Sequence, residues 1–356
     1  MDLVVADAIK IFFLTAFASA LAVLWTPALT DFLYRHKLWR KSARTKSIDG
    51  RNVEIFNKFH SKKEVSVPRF GGLLICVTTF FVALIFWIIS MIFSGFPSES
   101  LDFNFLSREE TWLPMFALVI AAIVGLWDDI TQVKGKGKYI AGGLTFWQRF
   151  VTVFIIGLIA GLWFSVKLGA DAIHIPGNGD FVIGGFLFAA FTVIVMLACW
   201  SGGVIDGLDG LAGGSFASMF VAFGIIAFAD GQTNLAAFCG VVAGTILSFL
   251  WFNIPPARFY MGETGSLALT STLAVVAFLT DSVLVLPIIG GLLVIESGSV
   301  IIQLLSKKFL GKKIFMSTPI HHHFQAKGWP EAKIVMRFWI IGIVFAIVGV
   351  AIRLLG

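Results

Sequence analysis

The sequence is poor in charged residues. Only 13% of its 356 residues are Asp, Glu, Lys or Arg, whereas a soluble domain carries about 25%. With 58% hydrophobic residues, too few polar side chains remain to cover a surface that faces water. This scarcity of charge excludes an ordinary soluble protein and predicts that most of the chain lies in a lipid bilayer.

Cysteine is also scarce, and its pattern excludes two further classes of protein. Cys76, Cys199 and Cys239 lie in or beside apolar runs, and no CxxC pair occurs. The pattern supports neither a disulfide framework nor a zinc site, so we interpret the three as small buried apolar residues. The first apolar run is long and lacks a small-residue cleavage pattern. It therefore predicts a retained first span rather than a cleaved signal.

Apolar runs of the length needed to cross a bilayer, about 20 residues, recur along the chain. They predict an all-α integral membrane protein of about ten transmembrane helices, folded as a single polytopic domain over residues 1–356. The predicted spans are 9–29, 71–94, 112–127, 147–165, 182–200, 211–229, 234–252, 265–281, 284–305 and 334–354. Segment 166–182 holds Pro176-Gly177-Asn178-Gly179 between short, partly alternating runs, which predicts a small β-hairpin.

The basic residues divide the loops into two sets. One set comprises loops 30–70, 128–146, 201–210, 253–264 and 306–333, and Lys and Arg concentrate in this set. By the positive-inside rule this face is cytoplasmic, so the termini and the hairpin lie outside. The net charge of +6 mostly reflects this bias and gives no reason to expect nucleic acid.

Acidic residues and histidines cluster on the same predicted face. Asp128 and Asp129 directly follow the third span, Asp206 and Asp209 follow the fifth, Glu263 precedes the eighth, and His321, His322 and His323 lie in the last loop of this face. Taken singly, each has a structural explanation, such as a helix cap, a turn or a solvated loop. Together they are costly so close to hydrocarbon unless they are paired, hydrated or coordinated, which favours a functional site.

The chemistry of this cluster suits an anionic, metal-bound substrate. Carboxylates without cysteine ligands are typical of Mg²⁺ sites, in which the ion commonly bridges substrate phosphates. The adjacent glycines allow backbone amides to approach a phosphate closely. The residues alone therefore predict phosphoryl transfer at the cytoplasmic edge of a membrane.

Several motifs resemble those of the polyprenyl-phosphate N-acetylhexosamine-1-phosphate transferase superfamily. They are Asp206-Gly207-Leu208-Asp209-Gly210, Met261-Gly262-Glu263-Thr264-Gly265-Ser266, and His321-His322-His323 with the following Lys327-Gly328-Trp329-Pro330-Glu331. The last motif is similar to the phospho-N-acetylmuramoyl-pentapeptide transferase branch. This resemblance implies a homodimer in the bacterial plasma membrane. It also implies a Mg²⁺-dependent transfer from UDP-MurNAc-pentapeptide to undecaprenyl phosphate, which forms lipid I and releases UMP.

The resemblance also implies a role for each matching residue. Catalytic positions match Asp128, Asp129, Asp206 and His321, and the metal-binding position matches Glu263. Nucleotide-sugar positions match Lys63 (or its neighbour Lys62), Asp209, Asn253, Tyr260, His322 and His323.

Departures from the family pattern leave alternatives open. Glu263 replaces the usual Asp, Gln132 replaces a Lys, Gly203 and Ile205 replace polar residues, and Val67-Pro68-Arg69-Phe70 is similar to the N-acetylglucosamine branch. Transfer of GlcNAc-1-phosphate is therefore the nearest alternative. A transporter of an anionic solute would place its ionisable residues near the membrane midplane, and is disfavoured. Direct displacement and a phospho-aspartyl intermediate are both compatible with the sequence.

Overall fold

A computed structural model describes residues 3–41, 61, 64–93, 102–135 and 143–356. Helices dominate it, in the order α1 (Leu3–Arg35), α2 (Gly72–Phe93), α3 (Trp112–Lys134), α4 (Phe146–Leu162), α5 (Gly185–Ser201), α6 (Leu211–Ala229), α7 (Thr233–Asn253), α8 (Gly262–Leu279), α9 (Leu286–Ile289), α10 (Gly291–Phe309), α11 (Ile320–Ala326) and α12 (Glu331–Leu355). The candidate Lys63 and its neighbour Lys62 lie outside the described residues.

The predicted hairpin is confirmed between α4 and α5. Strands β1 (Ala172–Ile175) and β2 (Gly179–Val182) pair antiparallel, with Ala172 opposite Val182 and Ile175 opposite Gly179. Gly177 and Gly179 have φ angles of 80° and 77°, which glycine adopts without the steric cost that a Cβ brings.

Nine of the described helices are long and apolar enough to cross a membrane, which confirms a multi-pass membrane protein. The predicted span 284–305 is not among these nine, because α10 carries several polar and charged residues. Gly290 separates α10 from the short α9. Helix α10 buries a polar stripe and exposes an apolar one. The buried residues are Glu296, Ser299, Gln303 and Ser306, and the exposed ones include Val294, Ile301, Ile302 and Leu305. This arrangement suits a helix whose outer face meets lipid and whose inner face meets protein.

Both ends of the described chain lie at one end of the bundle. Lys10, near the start of α1, donates a hydrogen bond to Oδ1 of Asn234 over 2.8 Å. Arg353, near the end of α12, pairs with Asp230 in the preceding α6–α7 connection over 3.1 Å. A chain whose termini share one end crosses the bundle an even number of times. Helices α9 and α10 together therefore form the ninth passage in chain order, and α12 completes the ten passages of the described residues.

Described parts of all five predicted catalytic loops meet at the opposite end. Helices α3 and α8 pack along each other there and come into backbone contact at Gly125. A Cβ on Gly125 would lie only 2.3 Å from the carbonyl oxygen of Glu263, so the backbones touch at this level. The contact brings the end of α3, with its two adjacent aspartates, to the first turn of α8.

Candidate functional site

Asp129 binds the N-terminus of α8. Its Oδ2 accepts hydrogen bonds from the backbone N–H of Thr264 (2.9 Å) and from the hydroxyl of the same residue (2.7 Å). Its Oδ1 accepts from the backbone N–H of Glu263 (3.1 Å) and from Nε of Arg69 (3.3 Å). Asp129 is fully buried, and an anion is favoured at a helix N-terminus. Both carboxylate oxygens are thus committed to holding this end of the bundle together.

Asp128, by contrast, is part of an ion-pair network with two other elements. Arg149 on α4 bridges two acids, with Nη2 2.7 Å from Oδ2 of Asp128 and Nη1 2.8 Å from Oε1 of Glu263. Oδ1 of Asp128 also accepts a hydrogen bond from the backbone N–H of Leu144 over 2.6 Å. The guanidinium therefore holds two carboxylates near each other that would otherwise repel.

Asp206 completes a group of four acids at this end of α8. It is half-buried, and it accepts a hydrogen bond from the backbone N–H of Gly262. Its pKa is raised to about 7, chiefly because burial disfavours the charged form. The Arg69 guanidinium opposes this shift, while Glu263 and Asp129 add to it. Asp206 can therefore take up or release a proton near neutral pH.

The donor set of this group fits Mg²⁺ bound jointly by protein and substrate. Its ligands are hard oxygens, and Glu263 is only partly buried, with a side chain 24% exposed. Oε2 of Glu263 has no hydrogen-bond partner among the described residues. The described residues contain no group of three or more His, Cys, Asp or Glu spaced to hold a metal by themselves. Mg²⁺ usually takes one or two carboxylates and completes its shell with water and phosphate.

A second group of polar contacts surrounds Asp209. Its carboxylate accepts from the backbone N–H of Ala257 (3.2 Å), and its own backbone N–H donates to Glu331 (3.0 Å). Asn253 accepts from the backbone N–H of Gly210 (2.9 Å) and donates to the carbonyl of Phe259 (2.8 Å). These bonds tie the 206–210 loop to segment 253–260, so Asn253 has a structural task whatever else it binds.

Tyr260 lies in that segment, half-buried. Its pKa is raised, first by burial and then by the negative charges of Asp209 and Glu331. The phenol is therefore neutral at physiological pH, and its ring can offer a flat apolar face to a base.

The three histidines lie on the short helix α11 and point to different partners. His321 is fully buried, and its Nδ1 lies 2.9 Å from Oε2 of Glu296. His322 is also buried and bonds Gln325. His323 accepts a hydrogen bond from the backbone N–H of Met316. His321 reaches the aspartate loop, because a Cβ on Gly207 would meet its Nε2 at 2.2 Å.

The structure brings most of the predicted site residues together. The four acids Asp128, Asp129, Asp206 and Glu263 surround the start of α8, and His321 touches the loop that carries Asp206 and Asp209. His323 is directed instead toward the 314–316 segment. The roles assigned to these residues, and the place of Lys63, stay predictions.

Sequence reasoning missed two arginines and two acids. Arg69 and Arg149 neutralise the acidic group, while Glu296 and Glu331 support the histidine helix and the aspartate loop. Glu331 and Arg69 lie in segments that carry the family resemblance, and a physical signal was present for the other two. Arg149 and Glu296 are ionisable residues inside predicted spans, where a charge is costly without a partner.

Comparisons with known proteins agree with this geometry. Residues 111–281 match the model of the family described as "Glycosyl transferase family 4". A relative from Levilactobacillus brevis is 39% identical over 82% of this chain and 85% of its own length. One from Geobacillus thermodenitrificans is 37% identical over 83% and 86%, and one from Anoxybacillus flavithermus is 34% identical over 96% and 98%. All three relatives are named phospho-N-acetylmuramoyl-pentapeptide-transferase.

Proposed function

The chain belongs to the phospho-N-acetylmuramoyl-pentapeptide-transferase family, and we propose that it performs the reaction of that name. It transfers phospho-N-acetylmuramoyl-pentapeptide from UDP to undecaprenyl phosphate, forming lipid I and releasing UMP. The observation that carries this proposal is the group of four carboxylates at one end of a membrane bundle, three of which pair with Arg69 or Arg149. Such a group of opposite charges suits the joining of two phosphate anions.

The reaction forms one phosphorus–oxygen bond and breaks another. An oxygen of the lipid phosphate attacks the phosphorus that bears the sugar, and the bond from this phosphorus to the UMP oxygen breaks. Repulsion between the two anions is the main obstacle, and the guanidinium groups of Arg69 and Arg149 can offset it. Mg²⁺, held by Glu263 with Asp128 and Asp206 nearby, would stabilise the charge on the pyrophosphate and on the departing UMP.

The remaining residues have separable tasks in this proposal. Both oxygens of Asp129 are occupied, which supports a positioning role rather than attack on phosphorus. Asp206, with its pKa of about 7, suits proton exchange with a phosphate. We expect Tyr260 and Asp209 to bind the nucleoside. His321 directs Nε2 toward the loop between the two aspartates of this motif.

We further propose that the site faces the cytoplasm of a bacterial plasma membrane and that both termini lie outside. The support is the concentration of Lys and Arg in the loops at the acidic end of the bundle. The homodimer implied by the resemblance stays a prediction.

Purified protein with undecaprenyl phosphate and Mg²⁺ tests the reaction directly. UDP-MurNAc-pentapeptide and UDP-GlcNAc are offered separately, and UMP release is measured. We expect release with the muramoyl donor only, and loss of release when the lipid phosphate is omitted. Asp31→Asn, at an exposed ion pair on α1, serves as the control variant and is expected to match the wild type. Release with UDP-GlcNAc alone would replace this proposal by GlcNAc-1-phosphate transfer.

A further inference from the structure

Glu296 is a fully buried acid that the predicted site does not include. It lies on α10, in the polar stripe that this helix turns toward the protein. Its Oε2 is 2.9 Å from Nδ1 of His321, which is equally buried. The carboxyl group also lies close to the backbone N–H groups of Ile320 and His321. One carboxylate therefore meets both the first turn of the histidine helix and its first imidazole.

The local sequence of α11 explains why an acid from another helix can stabilise the start of this helix. The first N–H groups of a helix lack partners within the helix, and the capping residue Pro319 provides no side-chain hydrogen bond. An amide or hydroxyl would satisfy a backbone N–H at a smaller cost of burial than a carboxylate. What the ionised group adds is a strong acceptor for Nδ1 of His321.

This contact determines how the His321 ring is presented. With the carboxylate ionised, Nδ1 carries hydrogen and donates to Glu296, so the other nitrogen, Nε2, is directed away from α10. Nε2 lies against Gly207, where even a single Cβ would approach it to 2.2 Å. The contacts thus run from Glu296 through the imidazole to the loop that carries Asp206 and Asp209.

We propose that Glu296 is a positioning residue of this transferase, which fixes the orientation and the tautomer of His321 so that Nε2 supports the loop that carries Asp206 and Asp209. The proposal rests on the function proposed above. Glu296 itself does not touch the substrate.

The variant Glu296→Gln tests the proposal, because it keeps the shape of the side chain and removes its charge. We expect kcat for UMP release to fall by about 10- to 100-fold, as is typical for the outer partner of a functional histidine, with a much smaller change in KM. Glu296→Asp keeps a carboxylate and should recover part of kcat. Glu110→Gln is the matched control. Glu110 likewise accepts from the N-terminus of another helix, at Leu235 over 3.0 Å, but it lies at the opposite end of the bundle.

A double-mutant cycle separates positioning from a purely structural cap. If Glu296 acts through His321, the Gln substitution should cost little further kcat in a His321→Gln background. If Glu296 affects kcat independently of His321, the two losses should multiply. If Glu296 only stabilises the fold, the Glu296→Gln protein should show a lower unfolding midpoint with normal kcat per folded enzyme. Either of these results would overturn the proposal.

The imidazole itself supplies a readout that does not depend on activity. The chain has six histidines, so the ¹⁵N signals of His321 can be assigned by their loss in His321→Gln. We expect its Nδ1 signal to shift in Glu296→Gln and to stay in place in Glu110→Gln. An unchanged Nδ1 signal would refute the contact on which the proposal depends. Absence of UMP release from the wild-type protein would instead refute the proposed function, whatever the imidazole signals show.

Discussion

Replacing Asp129 by Asn should destabilise the protein as well as inactivate it. The two oxygens of Asp129 each accept from two donors, whereas Asn has one oxygen and one NH₂ group. In either orientation of the amide, its NH₂ group faces one pair of these donors and cannot accept hydrogen bonds from them. The pairs are Arg69 with the Glu263 backbone, or the backbone and hydroxyl of Thr264. The change therefore removes two charge-assisted hydrogen bonds in a fully buried place.

The magnitude follows from these two bonds. A hydrogen bond to a charged group contributes about 1.5 kcal/mol or more, so their loss costs about 3 kcal/mol. For 356 residues, an unfolding entropy of about 2.1 cal/mol/K per residue converts this loss into a midpoint lower by about 4 °C. Asp31→Asn removes only an exposed ion pair and should leave the midpoint within about 1 °C, because such pairs contribute little.

The three cysteines make the measurement convenient. Cys76, Cys199 and Cys239 are all buried, so a thiol-reactive fluorescent dye reports their exposure as the protein is heated in detergent. The midpoint of Asp129→Asn is compared with that of the wild type and of Asp31→Asn. A midpoint equal to that of Asp31→Asn would show that the capping contacts contribute nothing, and the reasoning from the structure would fail.

Three further predictions concern the metal, the histidine contact and the topology. Glu263→Gln should lose Mg²⁺-dependent UMP release far more severely than Glu263→Asp, which should only raise the Mg²⁺ requirement, because a neutral oxygen is a weak ligand for this ion. Gly207→Ala places a Cβ 2.2 Å from the adjacent imidazole and should lower kcat by about 100-fold, whereas Gly203→Ala, with 4.0 Å to its nearest neighbour, should not. In intact cells an impermeant thiol reagent should label a cysteine placed at Asn178 and spare one at Lys312.

Each of these predictions has a result that contradicts it. An unchanged Mg²⁺ titration curve in Glu263→Gln would remove this residue from the metal site. Equal kcat values for the two glycine variants would show that the imidazole does not need its present position. Labelling at Lys312 in intact cells would reverse the assigned orientation of the bundle.

The membrane class, the approximate number of spans and the face that carries the acids could all be predicted from the sequence. These properties depend on composition and on the spacing of apolar runs, which lipid imposes on every segment separately. The predicted span 284–305 shows where this reasoning becomes less exact. The polar residues of α10, Glu296 among them, lower its apolar character, and only its packing shows that they face protein.

Tertiary structure alone decided which partners each acid contacts. Asp128 and Asp129 are neighbours in the chain, yet one joins the Arg149 bridge and the other caps α8. Successive residues on a helix point about 100° apart, so the packing of α3 against α4 and α8 determines which partner each one meets.

The sequence by itself determined that this protein is a membrane transferase with acids and histidines at one face, because apolar length, basic bias and motif identity are properties of single segments. Only the tertiary structure decided which charges neutralise one another. Arg69, Arg149 and Glu296 are far in sequence from the groups they contact. A buried charge requires a nearby partner, and the identity of that partner is a property of the packed helices.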